Sequence, residues 1–250
     1  MDKYTVITGA SSGIGYAAAK AFARRGKNLI LIARRLEQLE QLKSDIGKTS
    51  DVKVVIITAD LSITENVYDV YSKLNQYFVE TWINNAGFGN YSSVAEQDLK
   101  KVEDMIKVNI TALTIFSSLY VRDYNNSPGT QLINISSAGG YTIVPNAVTY
   151  CAAKFYVSAF TEGLARELSA ENSPLKAKIL APAATKTEFG KVASNAENYD
   201  YNTHFKTYHT AEEMAEFLLQ LYDSDCILGK IDRSTFDFEL SDGRLPYAGK

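Results

Sequence analysis

Short apolar runs alternate along this chain with longer helical patterns, and this alternation constrains the fold more than any other feature. The run Val54-Val55-Ile56-Ile57 has no polar side, which is typical of a strand covered on both faces. Strands that alternate with helices predict a parallel sheet wrapped by helices on both sides. The predicted strands are 4–8, 28–33, 52–58, 81–84, 131–136, 177–181 and 235–240, and the predicted helices are 13–25, 36–46, 64–77, 98–124, 149–169 and 211–222. We therefore predict an α/β fold with a doubly wound, mainly parallel, seven-stranded sheet in a three-layer arrangement.

The composition is that of an ordinary globular protein. With 250 residues the chain is long enough for one large domain, and we expect residues 1–250 to form a single unit. Charged residues make up 22% and hydrophobic residues 46%, which excludes a disordered chain. A net charge of −3 argues against a nucleic-acid partner or an anionic membrane surface. Two cysteines do not make a disulfide framework, which fits a reducing cytosol.

The first residues and the apolar runs bear on localisation. Met1-Asp2-Lys3 leads directly into a predicted strand, with no apolar signal region before it. Runs such as Leu29-Ile30-Leu31-Ile32 are too short to span a bilayer. We therefore expect a cytoplasmic protein without a membrane partner.

One segment, 188–209, departs from the composition of the rest. It is rich in tyrosine, asparagine and charge and poor in aliphatic residues, and it lies between the sixth predicted strand and the last predicted helix. Long loops in compact domains are often functional. Two interpretations stay open: a mobile surface excursion, or a variable loop that covers a substrate.

A glycine-rich turn follows the first predicted strand and opens the first predicted helix. Gly9, Gly13 and Gly15 leave the backbone bare, so that its N–H groups and the helix N-terminus can approach a pyrophosphate. The spacing is G-x-x-x-G-x-G rather than the common G-x-G-x-x-G. The alternative is a glycine-rich turn that binds nothing. The position between strand and helix favours a dinucleotide site.

The end of the second predicted strand indicates which dinucleotide binds. An enzyme that uses NAD places an acidic residue against the ribose 2′-hydroxyl at this point. This chain has Arg34 and Arg35 there, and no acidic residue from position 28 to position 36. An arginine can form a charge-assisted contact with a 2′-phosphate, whereas a carboxylate would repel it. We predict NADP rather than NAD; the alternative is that both arginines are solvated.

A tyrosine and a lysine four residues apart can move a proton to or from a carbonyl oxygen. Tyr150 and Lys154 share one face of a predicted helix, and an ammonium near a phenol lowers its pKa toward the useful range. Ser137, just past a predicted strand, can hydrogen-bond the substrate oxygen as charge develops. Tyr16 and Lys20 have the same spacing but no serine thirteen positions upstream. Tyr150 is therefore the candidate general acid.

Three signatures in a fixed order resemble the short-chain dehydrogenase/reductase family. They are Thr8-Gly9-Ala10-Ser11-Ser12-Gly13-Ile14-Gly15, then Asn84-Asn85-Ala86-Gly87, then Ser137 with Tyr150 and Lys154. The resemblance runs from residue 3 to about residue 187 and implies a Rossmann-like oxidoreductase. It also implies a homotetramer or homodimer joined through the helices 98–124 and 149–169.

The resemblance assigns roles to further residues. Asp60 and Leu61 would meet the adenine, Asn109 would hold a water beside the lysine, and Thr187, with Thr185 as the second choice, would contact the nicotinamide carboxamide. The predicted catalytic residues are Ser137, Tyr150, Lys154 and Asn109. The predicted cofactor-binding residues are Gly9, Ser11, Ser12, Gly13, Ile14, Gly15, Arg34, Arg35, Asp60, Leu61, Asn85, Ala86, Gly87, Tyr150, Lys154, Pro182, Thr185 and Thr187.

The chain departs from the family pattern at three places. Ser12 stands where related NADP enzymes often have a basic residue, and Ala183 stands where the family usually has glycine after the proline. The tail after residue 235 lacks the common Gly-Gly ending. These departures concern the cofactor preference, the shape of the loop after Pro182 and the contacts between subunits.

The sequence favours an NADP(H)-dependent oxidoreductase that interconverts a small carbonyl compound and its alcohol. The alternatives are the same chemistry with NAD(H), and a dinucleotide-binding sensor without turnover. A sugar-nucleotide epimerase or dehydratase would need a longer substrate domain. His204 and His209 lack partners at metal-ligand spacing, so we predict no metal site.

Overall fold

The computed structural model describes residues 2–248 and contains a twisted sheet of eight strands in the order β10-β9-β6-β5-β4-β1-β2-β3. All neighbouring strands are parallel except β9 and β10. The strands are β1 (Lys3–Thr8), β2 (Asn28–Ala33), β3 (Val54–Thr58), β4 (Phe78–Asn84), β5 (Gln131–Ile135), β6 (Lys176–Ala181), β9 (Leu228–Ile231) and β10 (Phe238–Ser241). A second sheet pairs β7 (Thr185–Lys186) with β8 (His209–Thr210).

Helices cover both faces of the large sheet, because alternate strand residues are buried on opposite sides. Ile7 packs with α1, α2 and α9, whereas its neighbour Val6 packs with α3, α5 and α6. The helices are α1 (Gly13–Arg24), α2 (Leu36–Gly47), α3 (Thr64–Ser72), α4 (Leu99–Ile106), α5 (Leu113–Tyr124), α6 (Val148–Ala170), α7 (Phe189–Ser194), α8 (Tyr201–His204) and α9 (Ala211–Asp223). A π-helical turn (Lys107–Ala112) joins α4 to α5. The predicted fold class, a doubly wound and mainly parallel sheet, is confirmed. Within residues 2–248, each helix is too short or too polar to cross a membrane.

The number of strands in the large sheet is eight rather than the predicted seven. The predicted strand 235–240 corresponds to β10, and the additional strand is β9, which pairs with β10 in a hairpin and was not predicted. Gly229 and Lys230 interrupt the apolar pattern of β9, because neither is typical of a buried strand. Gly229 is needed there, since a Cβ atom would lie 2.8 Å from the Phe238 ring on the neighbouring strand.

Strand β4 begins three residues earlier than predicted. The prediction missed this part because it contains Glu80, a charged residue that is not typical of a buried strand. Glu80 is only 7% exposed, and its carboxylate accepts bonds from Lys3 at 2.9 Å and Lys27 at 2.7 Å. Burial of a charge is tolerated when the charge is paired and hydrogen-bonded. The preceding helix, which was predicted to reach residue 77, ends at Ser72.

The carboxyl ends of the parallel strands gather the predicted site residues along one edge of the sheet. The glycine turn follows β1, Arg34 and Arg35 follow β2, and Asp60 lies two residues beyond β3. Ser137 follows β5. Open α/β sheets bind their ligands at this edge.

A chain of buried amides connects the sheet to α6. The Asn84 amide donates to Asn134 Oδ1 at 2.9 Å, and the Asn134 amide donates to Thr161 Oγ1 at 2.9 Å. The indole of Trp82 donates to Asn84 Oδ1 at 2.8 Å. These groups are at most 3% exposed, so water cannot replace a missing partner.

We expect Asn134→Ala to lower the free energy of unfolding by about 1–3 kcal/mol, because it leaves one Asn84 N–H without a buried acceptor and removes the bond that the Thr161 oxygen accepts. Urea denaturation measures the change. The exposed Asn126 is the matched control: Asn126→Ala should stay within about 0.5 kcal/mol of the wild type. Equal stability of the two variants would contradict this role for the amide chain.

Candidate active site

The glycine turn packs directly against the end of β4. Gly9 has a φ of +67°, and a Cβ atom there would lie 2.8 Å from the Ala86 Cα. A Cβ atom at Gly15 would lie 2.5 Å from the Gly9 carbonyl oxygen and would also collide with the Asn85 amide. The close approach of these two loops therefore requires glycine at both positions.

Asn85 and Thr8 fasten the two loops together. The Asn85 side chain donates to the Thr8 carbonyl at 2.9 Å, and the Thr8 hydroxyl accepts from the backbone N–H groups of Asn85 and Ala86 at 3.0 and 2.9 Å. Asn85, Ala86 and Gly87 then line a cavity above the sheet edge. The sequence predicted these residues, and the structure brings them to the same wall.

The cavity is large, about 1010 Å³, and runs along the whole edge. The first helix points its N-terminus at it; among the described residues, none in the first turn of α1 is acidic and the Ser12 side chain makes no capping bond there. The predicted residues that line the cavity are Gly9, Ser11, Ser12, Gly13, Ile14, Arg34, Arg35, Asp60, Leu61, Asn85, Ala86, Gly87, Ser137, Tyr150, Lys154, Pro182, Thr185 and Thr187. Of the predicted residues described by the structure, Gly15 and Asn109 are not in its lining.

The two arginines differ in their surroundings. The Arg34 side chain is 70% exposed, and its guanidinium lies 3.9 Å from the Asp60 carboxylate. Arg35 donates to the Ser11 hydroxyl at 3.2 Å and to the Glu188 carboxylate at 2.8 Å. The bond from Arg35 lowers the pKa of the Glu188 carboxyl. Arg35 thus connects the glycine turn with the start of the segment 188–209.

Ser137, Tyr150 and Lys154 all line the same cavity. Ser137 caps a short 3₁₀ turn (Ala138–Gly140), and its hydroxyl accepts from the Gly139 N–H at 3.0 Å. The Lys154 ammonium lies 6.0 Å from the centroid of the Tyr150 ring and donates to the Ile135 carbonyl at 2.8 Å. The structure therefore places all three in one cluster.

Burial controls the protonation of this cluster. It raises the pKa of the Tyr150 hydroxyl, although a hydrogen bond with Ser137 opposes the increase. Burial also lowers the pKa of Lys154 to about 8. The sequence predicted a lowered tyrosine pKa; in this geometry burial outweighs that effect, because the ammonium is directed at the Ile135 carbonyl.

Tyr16 and Lys20, which have the same spacing, lie elsewhere. Burial of the phenol raises the pKa of Tyr16. The Asp45 carboxylate, which accepts from the Tyr16 hydroxyl at 3.0 Å, raises this pKa further. Neither residue lines the cavity, as expected from the absence of an upstream serine. Ser136 also points away from the cavity centre, toward Ser158 and the Lys154 carbonyl on α6.

Asn109 lies in the π-helical turn and is 1% exposed. Its amide donates to the Phe88 carbonyl at 2.9 Å, and its oxygen accepts from the Phe88 N–H at 3.1 Å. A Cβ atom at Gly87 would lie 2.9 Å from the Asn109 oxygen and 3.6 Å from the Lys154 ammonium. Asn109 therefore lies close to Lys154, on the same side of Gly87, and holds the loop that follows β4.

The loop after β6 places its two threonines at different points. Thr187 packs over the glycine turn, because a Cβ atom at Gly13 would lie 3.1 Å from its methyl group. The Thr187 hydroxyl accepts from the Phe189 N–H at 3.1 Å. The Thr185 hydroxyl donates to the Ala183 carbonyl at 3.0 Å. Both threonines line the cavity.

The segment 188–209 is more structured than its composition indicates. It contains α7 and α8, and its end is pinned by the pairing of β8 with β7. The Phe189 ring lies 5.3 Å from the Tyr150 ring, between centroids. Tyr199, Tyr201 and Phe205 line the same end of the cavity.

Two sets of lining residues were not predicted from the sequence. Tyr91 comes from the loop after β4, and Arg233, Ser234 and Phe236 come from the hairpin between β9 and β10. Phe236 has a φ of +64°, which is rare for a bulky residue and typical of functional loops. No sequence signal marks such a conformation. Among residues 2–248, no group of three or more His, Cys, Asp or Glu side chains could hold a metal ion.

Comparison with known proteins agrees with this geometry. The model of the family named short chain dehydrogenase matches residues 3–198. An uncharacterized oxidoreductase of Staphylococcus saprophyticus is 31% identical over 75% of this chain and 76% of its own. The human protein called dehydrogenase/reductase SDR family member 11 is 30% identical over 75% of each chain.

A solved structure shows the same fold. The short-chain dehydrogenase from Sphingobium yanoikuyae in complex with NADPH superposes with a TM-score of 0.84 at 28% identity. The match covers 94% of this chain and 89% of that chain. The chain therefore belongs to the short-chain dehydrogenase/reductase family of NAD(P)-using oxidoreductases, which act on CH–OH groups.

Proposed function

We propose that this protein is an NADP(H)-dependent oxidoreductase that interconverts a small carbonyl compound and its alcohol, with Tyr150 as the general acid and base. The observation that carries the proposal is a single cavity that joins the glycine turn to Ser137, Tyr150 and Lys154. A dinucleotide with its phosphates at the glycine turn can lie along this cavity with its other end beside Tyr150. The substrate is a small molecule held at that end.

The residues present fit such a cofactor. The bare backbone at Gly9 and Gly13 and the open N-terminus of α1 suit a pyrophosphate, and Asp60 and Leu61 suit the adenine end. Pro182, Thr185 and Thr187 also line the cavity, with Thr187 against the glycine turn. The nicotinamide supplies the hydride. The fold holds and orients it.

The protein's own contribution is to hold the carbonyl oxygen and move a proton. Ser137 and Tyr150 can both donate a hydrogen bond to that oxygen, and Tyr150 can then give up its phenolic proton. The neighbouring Lys154 stabilises a developing phenolate when its ammonium is charged. Asn109 fixes the loop next to Lys154. Phe189 and Tyr91 help to shield the site from water.

Arg34 and Arg35 support NADP over NAD. Both line the cavity beyond β2, where Asp60 lies 3.9 Å from Arg34 and Glu188 lies 2.8 Å from Arg35. The NADPH complex of the Sphingobium yanoikuyae relative favours the same cofactor. The competing hypothesis, a sensor without turnover, would not require Ser137, Tyr150 and Lys154 to meet in the cavity.

We also infer that the protein is a cytoplasmic homotetramer or homodimer joined through α4, α5 and α6. Leu99, Val148 and Tyr156 on these helices are large apolar residues that are 68%, 47% and 38% exposed. A second copy would cover them. The remaining proposal from the sequence, one domain over residues 1–250, is consistent with the continuous sheet of residues 3–241.

We expect Tyr150→Phe to lower turnover by a factor of about 10²–10⁴ while NADPH still binds, because only the proton donor is removed. The oxidation of NADPH with a panel of carbonyl compounds measures turnover. Tyr16→Phe is the matched control and should leave turnover nearly unchanged. Full activity in Tyr150→Phe, or equal losses in both variants, would overturn the assignment.

We expect Arg34→Ala to weaken NADPH binding by a factor of about 10 to 100, because a charged hydrogen bond contributes about 1.5–3 kcal/mol, and to leave NADH binding nearly unchanged. Fluorescence titration gives both dissociation constants. Lys43, an exposed cation on α2 outside the cavity, provides the control Lys43→Ala. A wild-type protein that binds NADH more tightly than NADPH would contradict the cofactor proposal.

We expect residues 195–208 to exchange amide hydrogens quickly in the free protein and slowly once NADP and substrate are bound, as a lid would. Residues 189–194 should be better protected already, because the backbone N–H groups of Phe189 and Val192 donate to the Thr187 hydroxyl and the Glu188 carbonyl, each at 3.1 Å. Tyr91 and Lys101 also fix α7 by donating to the Ala193 and Val192 carbonyls. Hydrogen-exchange mass spectrometry distinguishes the two parts. Strong protection of 195–208 without ligand, unchanged on binding, would make this segment ordinary surface structure.

A further inference from the structure

A second buried acidic group lies on α6, outside the cavity. Glu162 is 2% exposed, and its carboxylate accepts from the Tyr141 hydroxyl at 2.5 Å and from the backbone N–H groups of Arg244 and Leu245 at 2.8 Å each. Among residues 2–248, no lysine or arginine forms an ion pair with it. A buried carboxylate needs such bonds, so all three donors are important to it.

Two of these donors belong to the C-terminal tail, 242–247. The tail reaches Glu162 through Gly243, whose φ is +106° and where a Cβ atom would lie 2.8 Å from the carboxylate. Arg166, one helical turn further along α6, donates to the Asp242 carbonyl at 3.2 Å, and its guanidinium lies 5.6 Å from the centre of the Tyr247 ring. The tail is therefore fixed to α6 at several points around Glu162.

The third donor, Tyr141, connects Glu162 with the Ser137 loop, residues 136–142. Tyr141 ends the 3₁₀ turn that Ser137 begins, and its N–H donates to the Ala138 carbonyl at 3.1 Å. Interaction with Ser158 opposes the rise in the pKa of the Tyr141 hydroxyl that burial and Glu162 cause. Ser158 in turn bonds the Ser136 hydroxyl at 2.9 Å.

The same contacts leave the loop no room to shift toward α6. A Cβ atom at Gly140 would lie 2.7 Å from the Lys154 carbonyl oxygen and would also collide with the hydroxyls of Ser136 and Ser158. The Ser136 hydroxyl donates to that Lys154 carbonyl at 3.0 Å. The Ser137 loop and the turn of α6 that carries Lys154 are thus held in one register by buried polar contacts.

We infer that Glu162 is a positioning residue: it seats the C-terminal tail on α6 and, through Tyr141, holds the Ser137 loop in register with Tyr150 and Lys154. Its importance for catalysis rests on the proposed function. Its effect on the loop does not, because the contacts exist without cofactor or substrate. Glu162, Tyr141 and the tail do not line the cavity, so NADPH binding should not depend on them.

The test compares Glu162→Gln and Tyr141→Phe in the full-length protein. Glu162→Gln keeps the side-chain shape but removes the charge that binds both the tail and Tyr141. Tyr141→Phe breaks only the connection to the loop and leaves the bonds from Glu162 to the tail. Glu167→Gln is the matched control, because Glu167 is an exposed carboxylate on the same helix.

Two measurements are made on each variant. Hydrogen-exchange mass spectrometry should show faster exchange of residues 136–142 in both Glu162→Gln and Tyr141→Phe, and of the tail only in Glu162→Gln. Steady-state kinetics with NADPH and the carbonyl compound that the wild type reduces fastest should show kcat lowered about tenfold in both, since small displacements of reacting groups are costly. The dissociation constant and stoichiometry of NADPH should not change.

The outcomes separate the inference from the proposed function. Unchanged exchange of residues 136–142 in Tyr141→Phe overturns the inference whatever the activity, and Tyr141→Phe still decides if Glu162→Gln does not fold. A loss of NADPH stoichiometry in parallel with kcat would indicate general unfolding and would also overturn it. A wild-type protein that reduces no carbonyl compound refutes the proposed function, while the exchange measurement still tests the positioning role.

Discussion

The close approach of the glycine turn to the loop after β4 is the constraint on which the site depends. Gly9 and Gly15 let the two backbones come within contact, and Asn85 and Thr8 then bond them together. Because β1 pairs directly with β4, this contact sits at the centre of the sheet edge. It places the N-terminus of α1 on one side and Gly87, with Lys154 beyond it, on the other. A larger residue at Gly9 or Gly15 would push the N-terminus of α1 away from the loop that carries Asn85 and Ala86.

The second requirement is that α6 keeps a fixed position along β5. Three buried connections provide it at different heights: Lys154 to the Ile135 carbonyl, Ser136 to the Lys154 carbonyl, and Asn134 to Thr161. Polar groups suit this purpose because a buried hydrogen bond has one good geometry, whereas apolar contacts tolerate sliding. Burial has a consequence for chemistry too. Burial lowers the pKa of Lys154 to about 8, so its amino group can gain or lose a proton near neutral pH as its surroundings change.

The fold and most of the site follow from local sequence patterns, and the exceptions have physical causes. The strands with continuous apolar runs were predictable. The first three residues of β4 were missed because Glu80 breaks their apolar pattern, and β9 was missed because Gly229 breaks that of β9. Motif residues could be placed in one cavity because the ends of parallel strands meet at one edge. Glu162 gave no such signal, since two of its three donors are backbone N–H groups more than eighty positions away.

The ion pair of Arg35 with Glu188 joins the loop after β2 to the segment 188–209. Arg35 belongs to the region expected to bind a 2′-phosphate, and Glu188 is the first residue of the segment 188–209, which also contributes Tyr199, Tyr201 and Phe205 to the cavity lining. Under the proposed function, a 2′-phosphate beside Arg35 would attract the guanidinium and repel the Glu188 carboxylate, so the two anions would compete for one cation. Cofactor binding and the position of the segment would then be linked reciprocally in free energy. The same geometry explains why the segment starts where it does: Thr187 packs on the glycine turn, and the next residue contacts the arginine that follows β2.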